Sequence, residues 1–154
     1  MRISVLTVGK PRQPALAEAI RDYETRAARY WTLDIIEVKE ESARALAPAQ
    51  VKDREAERLM NRMPADAQVV VCDLGGEALT SEAFADWLAT LRDRAHNVAF
   101  VVGGAYGIGD MLRSRANRRL SLAPWTLPHE IARLVLTEQL YRAGSMSRGE
   151  PYHK

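Results

Sequence analysis

Four glycines fall within seven positions at GGAYGIG, residues 103–109, directly after the apolar run NVAFVV. Glycine lets the backbone turn sharply and lets a flat ligand approach its N–H and C=O groups. The usual nucleotide fingerprints do not fit. G-x-G-x-x-G belongs between a first strand and a first helix, whereas this run arrives two-thirds of the way along, and no Walker lysine follows. Spacing alone leaves two readings open: a backbone cradle for a flat ligand, or a tight strand-to-helix turn packed by its glycines. A second segment, APWTLPHE at 123–130, brackets Trp-Thr-Leu between two prolines. A proline-stiffened loop presents backbone polar groups in a fixed array, which suits adenine recognition; the same loop could be docked into the core by Trp125. The third feature is the C-terminus, where Arg142, Arg148, Tyr152, His153 and Lys154 gather. Cationic groups grip phosphates and rings stack on bases, against the alternative of a frayed end. Three histidines and one cysteine, with no H-E-x-x-H and no Ser-His-Asp spacing, give no metal site and no acyl-transfer chemistry. His96 lies in a charged turn and reads as surface.

The elements that must position these residues are legible from periodicity. ISVLTV (3–8) is β-branched and stops at Gly9, a strand opening into a loop. Pro14 opens a helix over 14–31, with Leu16, Ala19, Ile20, Tyr23 and Ala27 at helical spacing. LDIIEVKE (33–40) is a second strand. Pro48 begins the helix 48–63, with Val51, Ala56, Leu59 and Met63 on one side and alternating charges on the other. AQVVVCDL (67–74) lacks polar alternation and is expected to be covered on both faces. Thr80 or Ser81 caps the next helix, whose stripe is Phe84, Trp87, Leu88 and Leu91. NVAFVVGG (97–104) is another buried strand. A short helix follows at 110–117, then a short strand with a structured loop over 119–128, and a last helix over 129–143 with His129 as its cap. Residues 144–154 read as a polar tail.

Strand and helix alternate about five times, which predicts a parallel α/β sheet with helices on both faces, in a single domain over 1–154. The last helix carries Ile131, Ala132, Leu134, Val135, Leu136 and Leu140, more apolar residues than one stripe needs. That excess predicts a subunit interface as well as a core contact, in a two-fold dimer. Lys plus Arg number 22 against 20 Asp plus Glu, a balance that neither announces a nucleic-acid partner nor excludes one. Cys72 is the only cysteine, so an intrachain disulfide is impossible. MRISVLTVGK is too short for a signal peptide and no apolar stretch approaches a membrane span, so the expected location is the cytoplasm, with no membrane partner.

Taken together, VGK near the start, VVGGAYG (101–107), LSLAPWTLPHEIARLVLTEQLYRA (120–143) and the ending RGEPYHK resemble the SPOUT methyltransferases. The likeness is specifically to the small bacterial family that methylates N3 of a pseudouridine in large-subunit ribosomal RNA, and it runs over essentially all 154 residues. It implies an α/β/α sandwich with a C-terminal trefoil knot, an exception to the rule against threaded chains. It also implies S-adenosylmethionine (S-adenosyl-L-methionine) bound in the knot, a homodimer, and action on assembled ribosomes. Carried onto this chain, Gly103 and Gly104 would close one side of the cofactor pocket, and Cys72 and Leu74 a second. Leu122, Ala123, Pro124, Trp125, Thr126 and Leu127 would surround the adenine and the methionine moiety, with Tyr106 a further lining candidate. The family commonly has leucine where Cys72 stands; cysteine keeps an apolar wall there.

The implied reaction removes the imide proton from the pseudouridine and places a methyl group on the nitrogen. His153 would take the proton, Tyr152 would stack or hydrogen-bond, and Arg142 would hold phosphate or stabilise the anion, unless water accepts the proton directly. Two rivals come from other classes: a non-enzymatic ribosome- or RNA-binding factor that retains the pocket, and a nucleotide-binding α/β regulator.

Overall fold

The computed structural model of the chain describes residues 1–153, without the side chain of His153. Five parallel strands, β1 (Arg2–Val8), β2 (Thr32–Val38), β3 (Ala67–Ala78), β4 (Asn97–Val102) and β5 (Arg118–Ser121), form one sheet in the order β2-β1-β4-β3-β5. Strand geometry points alternate side chains to opposite faces, and the core divides accordingly. On one face Ile3, Val5, Val70, Val98 and Phe100 pack under helices α1 (Pro14–Ala27), α3 (Ser81–Asp93) and α5 (His129–Ser147). On the other, Leu6, Val69, Val71, Ala99 and Val101 pack under α2 (Pro48–Arg62) and α4 (Asp110–Arg115). The expected layers are therefore present.

Local chemistry sets the element ends. Pro14 and Pro48 stand at the first positions of α1 and α2, where the missing N–H costs nothing. The Thr80 hydroxyl accepts from the Ala83 N–H at 3.1 Å and caps α3.

Several boundaries differ from the sequence reading. α1 stops at Ala27, whose carbonyl accepts from the N–H groups of Tyr30 and Trp31 as the chain turns toward β2. β3 runs on to Ala78 because it pairs twice with β5: Cys72 stands opposite Leu120, and so does Glu77, with the register shifting between them. The residues 73–76 are thereby extruded as a bulge, a device that re-aims side chains at a sheet edge. His129 is not a cap; Pro128 occupies that position and His129 is the first helical residue.

The last helix is also longer than expected. Gly144 and Ser145, assigned above to the tail, are buried in α5, because Tyr30 packs against Gly144 where a Cβ would meet its ring at 2.4 Å. Nor is the helix simply apolar. Arg133 is buried, with its guanidinium donating to Glu24 of α1 at 2.8 Å and to Glu37 of β2 at 2.7 Å. Those two carboxylates compensate a charge that could not otherwise be placed there.

Candidate active site

A cleft opens where β4 and β5 end and β3 bulges. Cys72, Asp73 and Leu74 form one wall, Gly103, Gly104, Gly107 and Ile108 a second, and Leu122, Ala123, Trp125, Thr126 and Leu127 a third. Arg113 of α4 and His129 and Ala132 of α5 complete it. Nine of the ten cofactor-site residues expected from sequence thus converge on one cleft; Pro124 stays outside the lining and is exposed.

The glycine run makes its wall by closing on itself. Gly104 and Gly107 form an antiparallel bridge, with the Gly107 N–H donating to the Gly104 carbonyl at 3.0 Å. Gly107 sits at φ +83°, the left-handed region glycine enters without strain. A Cβ at Gly103 would lie 2.6 Å from the Gly107 carbonyl, so the turn closes only without one. Tyr106 points away at the tip, exposed and outside the lining.

The proline-bracketed loop takes the cleft-facing role, since Trp125 is 78% exposed and docks into no core. Leu74, thrown out by the β3 bulge, is 53% exposed on the facing wall. Between them Cys72 stays neutral: burial, with Asp73 beside it, pushes the thiol up to about 12. It is an apolar wall, as the sequence suggested.

Four residues with chemistry at or behind this cleft were missed: Asp73, Arg113, His129 and Glu55. Asp73 is a hub. Its Oδ2 accepts from Arg113 Nε at 3.0 Å and from Arg119 Nη2 at 2.7 Å. Burial alone would raise this carboxyl, but the two arginines outweigh burial and hold it below its ordinary range. A lone acid directly after the covered run VVVC was the available signal, because a carboxylate there demands a cation. Glu55 of α2 is 3% exposed and lies against Gly104, where a Cβ would meet its Oε2 at 2.4 Å. Its Oε1 accepts from the Glu41 N–H at 3.1 Å, while Oε2 has no partner among the described residues. Burial raises this carboxyl. Periodicity held the signal, because Glu55 stands four residues after Val51 and four before Leu59, on the buried stripe of α2.

The C-terminal residues gather elsewhere. Tyr152 lies in a short 3-10 turn, Pro151–His153, with its ring 4.4 Å from that of Tyr141. Its hydroxyl donates to Glu138 at 3.1 Å and sits 3.3 Å from the Tyr23 hydroxyl. Arg142 donates to the same Glu138 at 2.6 Å and covers the Tyr152 ring at 4.9 Å. Burial, with hydrogen bonding to Tyr23 and the charge of Glu138, raises the Tyr152 phenol, which stays protonated. His129 at the cleft and Arg142 lie about 20 Å apart along α5 at ~1.5 Å per residue. Neither Arg142 nor Tyr152 lines the cleft of its own chain. The His153 side chain and Lys154 lie outside the described residues.

Residues 1–153 match the family model described as "Predicted SPOUT methyltransferase". The chain belongs to the SPOUT methyltransferase family. It is 64% identical to "Ribosomal RNA large subunit methyltransferase H" of Gemmatimonas aurantiaca, over the whole of both chains. Proteins of the same name from Bacillus pumilus and Listeria monocytogenes are 41% and 42% identical, again over the full length of each. Among solved structures, a SpoU methyltransferase, AviRb from Streptomyces viridochromogenes in complex with the cofactor AdoMet, aligns with a TM-score of 0.48 and 15% identity. The alignment covers 97% of this SPOUT chain and 59% of that one.

Proposed function

We propose that the chain transfers a methyl group from S-adenosylmethionine to N3 of a pseudouridine in large-subunit (23S) ribosomal RNA, on the assembled ribosome. The carrying observation is a full-length SPOUT chain, 64% identical to a ribosomal RNA large subunit methyltransferase, whose two signature segments meet across one cleft. The donor set fits the cofactor. Val102, Ile108, Leu122 and Leu127 offer apolar faces to a purine, the 103–104 and 122–127 backbones offer edges, and one charged corner remains. When bound there, the cofactor supplies an electrophilic methyl group; the chain's own work is alignment, exclusion of water and care of the imide proton.

That proton is the task for the tail. In this reading two copies of a single 1–154 domain, each with its C-terminal knot, pair through α5 in the cytoplasm. Leu134 and Val135 on α5, only partly buried within one chain, support such an interface. Each tail then serves the partner's cleft, because about 20 Å of helix separates it from its own. His153 accepts the imide proton, Arg142 steadies the anion or a phosphate, and protonated Tyr152 stacks or donates a hydrogen bond. The test is incubation with radiolabelled S-adenosylmethionine and ribosomes lacking this methyl group. Label recovered at N3 of a large-subunit pseudouridine supports the reading; cofactor binding without transfer identifies an RNA-binding factor instead.

A further inference from the structure

We propose that Arg113, held by Asp73, is a carboxylate clamp in the cleft that grips the α-carboxylate at the amino-acid end of the cofactor. This rests on the methyl-donor reading above and adds a ligand-binding residue to it. Arg113 is the only Lys or Arg among the described residues that line the cleft. A guanidinium carries five N–H donors in a planar fork. Arg113 spends Nε and one Nη2 hydrogen on Asp73, at 3.0 and 3.3 Å, and one Nη1 hydrogen on Asp110 at 2.8 Å. One N–H therefore remains on each terminal nitrogen, and the two oxygens of a carboxylate can accept from them.

The corner also carries the right charge. A single buried carboxylate, Asp73 with 10% of its side chain exposed, serves both Arg113 and Arg119. One negative charge against two positive ones leaves a surplus for an incoming anion. Asp110 offsets little of it, because its side chain is 94% exposed and such pairs are weak in water. Asp73 acts here as a positioning residue. Its bonds fix the plane of the Arg113 fork and spare the ligand the entropy of ordering a free arginine. The rest of the lining offers a carboxylate no second guanidinium or ammonium group among the described residues, so the amino-acid end is drawn to this corner and the purine to the apolar walls.

Two adenosine ligands separate this idea from its alternatives. S-adenosylhomocysteine carries the α-carboxylate; 5′-methylthioadenosine keeps the purine, ribose and sulfur and lacks the amino-acid end. Calorimetric titration of the unaltered chain is expected to favour the first by at least about tenfold. Arg113→Ala should lose that preference, weakening S-adenosylhomocysteine about tenfold and 5′-methylthioadenosine by less than about twofold. Asp73→Asn should show the same selective loss to a smaller degree. Arg113→Lys, which keeps the charge without the fork, should fall between and decides the matter if the alanine variant does not fold. Equal weakening of both ligands, or none, overturns the clamp, as does a loss confined to RNA binding, which would assign Arg113 to a phosphate. An unaltered chain that binds both ligands equally overturns the clamp and leaves the cofactor reading standing. One that binds neither overturns both.

Discussion

The two ends of α5 are built on opposite terms. At its C-terminal end every polar group named is paired: Tyr152 and Arg142 on Glu138, Tyr30 on Glu150, and Arg148 on the Arg29 carbonyl. The rings of Tyr141 and Tyr152 pack against each other and the tail is closed by its own chain. At the N-terminal end the loops leave Trp125 and Leu74 in solvent, Arg113 with donors to spare, and a Glu55 oxygen without a partner among the described residues. Protein interiors pair nearly all buried polar groups. An end that leaves them unpaired, beside an open cleft, is the one built for something that arrives later. A satisfied end holds shape, and the tail can act on chemistry only if a second chain brings a cleft to it.

The largest effect that would sharpen this contrast is at Gly103. Gly103→Val drives a side chain into the Gly107 carbonyl, opens the turn, and is expected to weaken S-adenosylmethionine binding at least about a hundredfold, or ~2.8 kcal/mol. Unchanged affinity in a folded variant would remove this turn from the site. Deleting residues 150–154 should do the reverse, leaving cofactor affinity within about twofold while methyl transfer falls at least about tenfold, or ~1.4 kcal/mol. Mixed dimers of the two variants then carry one site with an intact cleft and an intact tail, so mixing should restore activity. No recovery in chains shown to exchange would break the idea of a shared site.

The smallest effect concerns Glu55. Its folded-state value is raised above the ordinary 4.5, so the folded chain holds a proton that the unfolded chain releases. Stability is therefore lost as pH rises from about 4.5 through the raised value, and the loss persists above it. Glu55→Gln keeps the bond from the Glu41 N–H and escapes that loss. Thermal melts should show the variant level with the parent below pH ~4.5 and more stable by about 1 kcal/mol at pH 7. A variant less stable than the parent at pH 7 would mean that the carboxylate is satisfied after all.

The succession of β-branched runs and amphipathic stripes was enough to lay out the five strands and five α-helices of the described residues, because residue type and the 3.6 period are local properties of the chain. The family likeness likewise reached nine residues of one cleft from sequence alone, seven in GGAYG and LAPWTLPHE together with Cys72 and Leu74. Tertiary structure decided the rest, since each missed feature depends on a partner distant in sequence. β3 bulges at 73–76 because β5, more than forty residues later, pairs with it in two registers. Asp73 becomes a hub only when α4 and β5 bring Arg113 and Arg119 to it. Glu55 is buried only because Gly104, just past the end of β4, leaves room for it. Ser145 and Tyr152, polar in sequence, are drawn onto α5 and α1 by Tyr30, Tyr141 and Glu138. A residue's type and spacing limit what it can do, and the charges and rings that folding sets beside it determine which of those things it does.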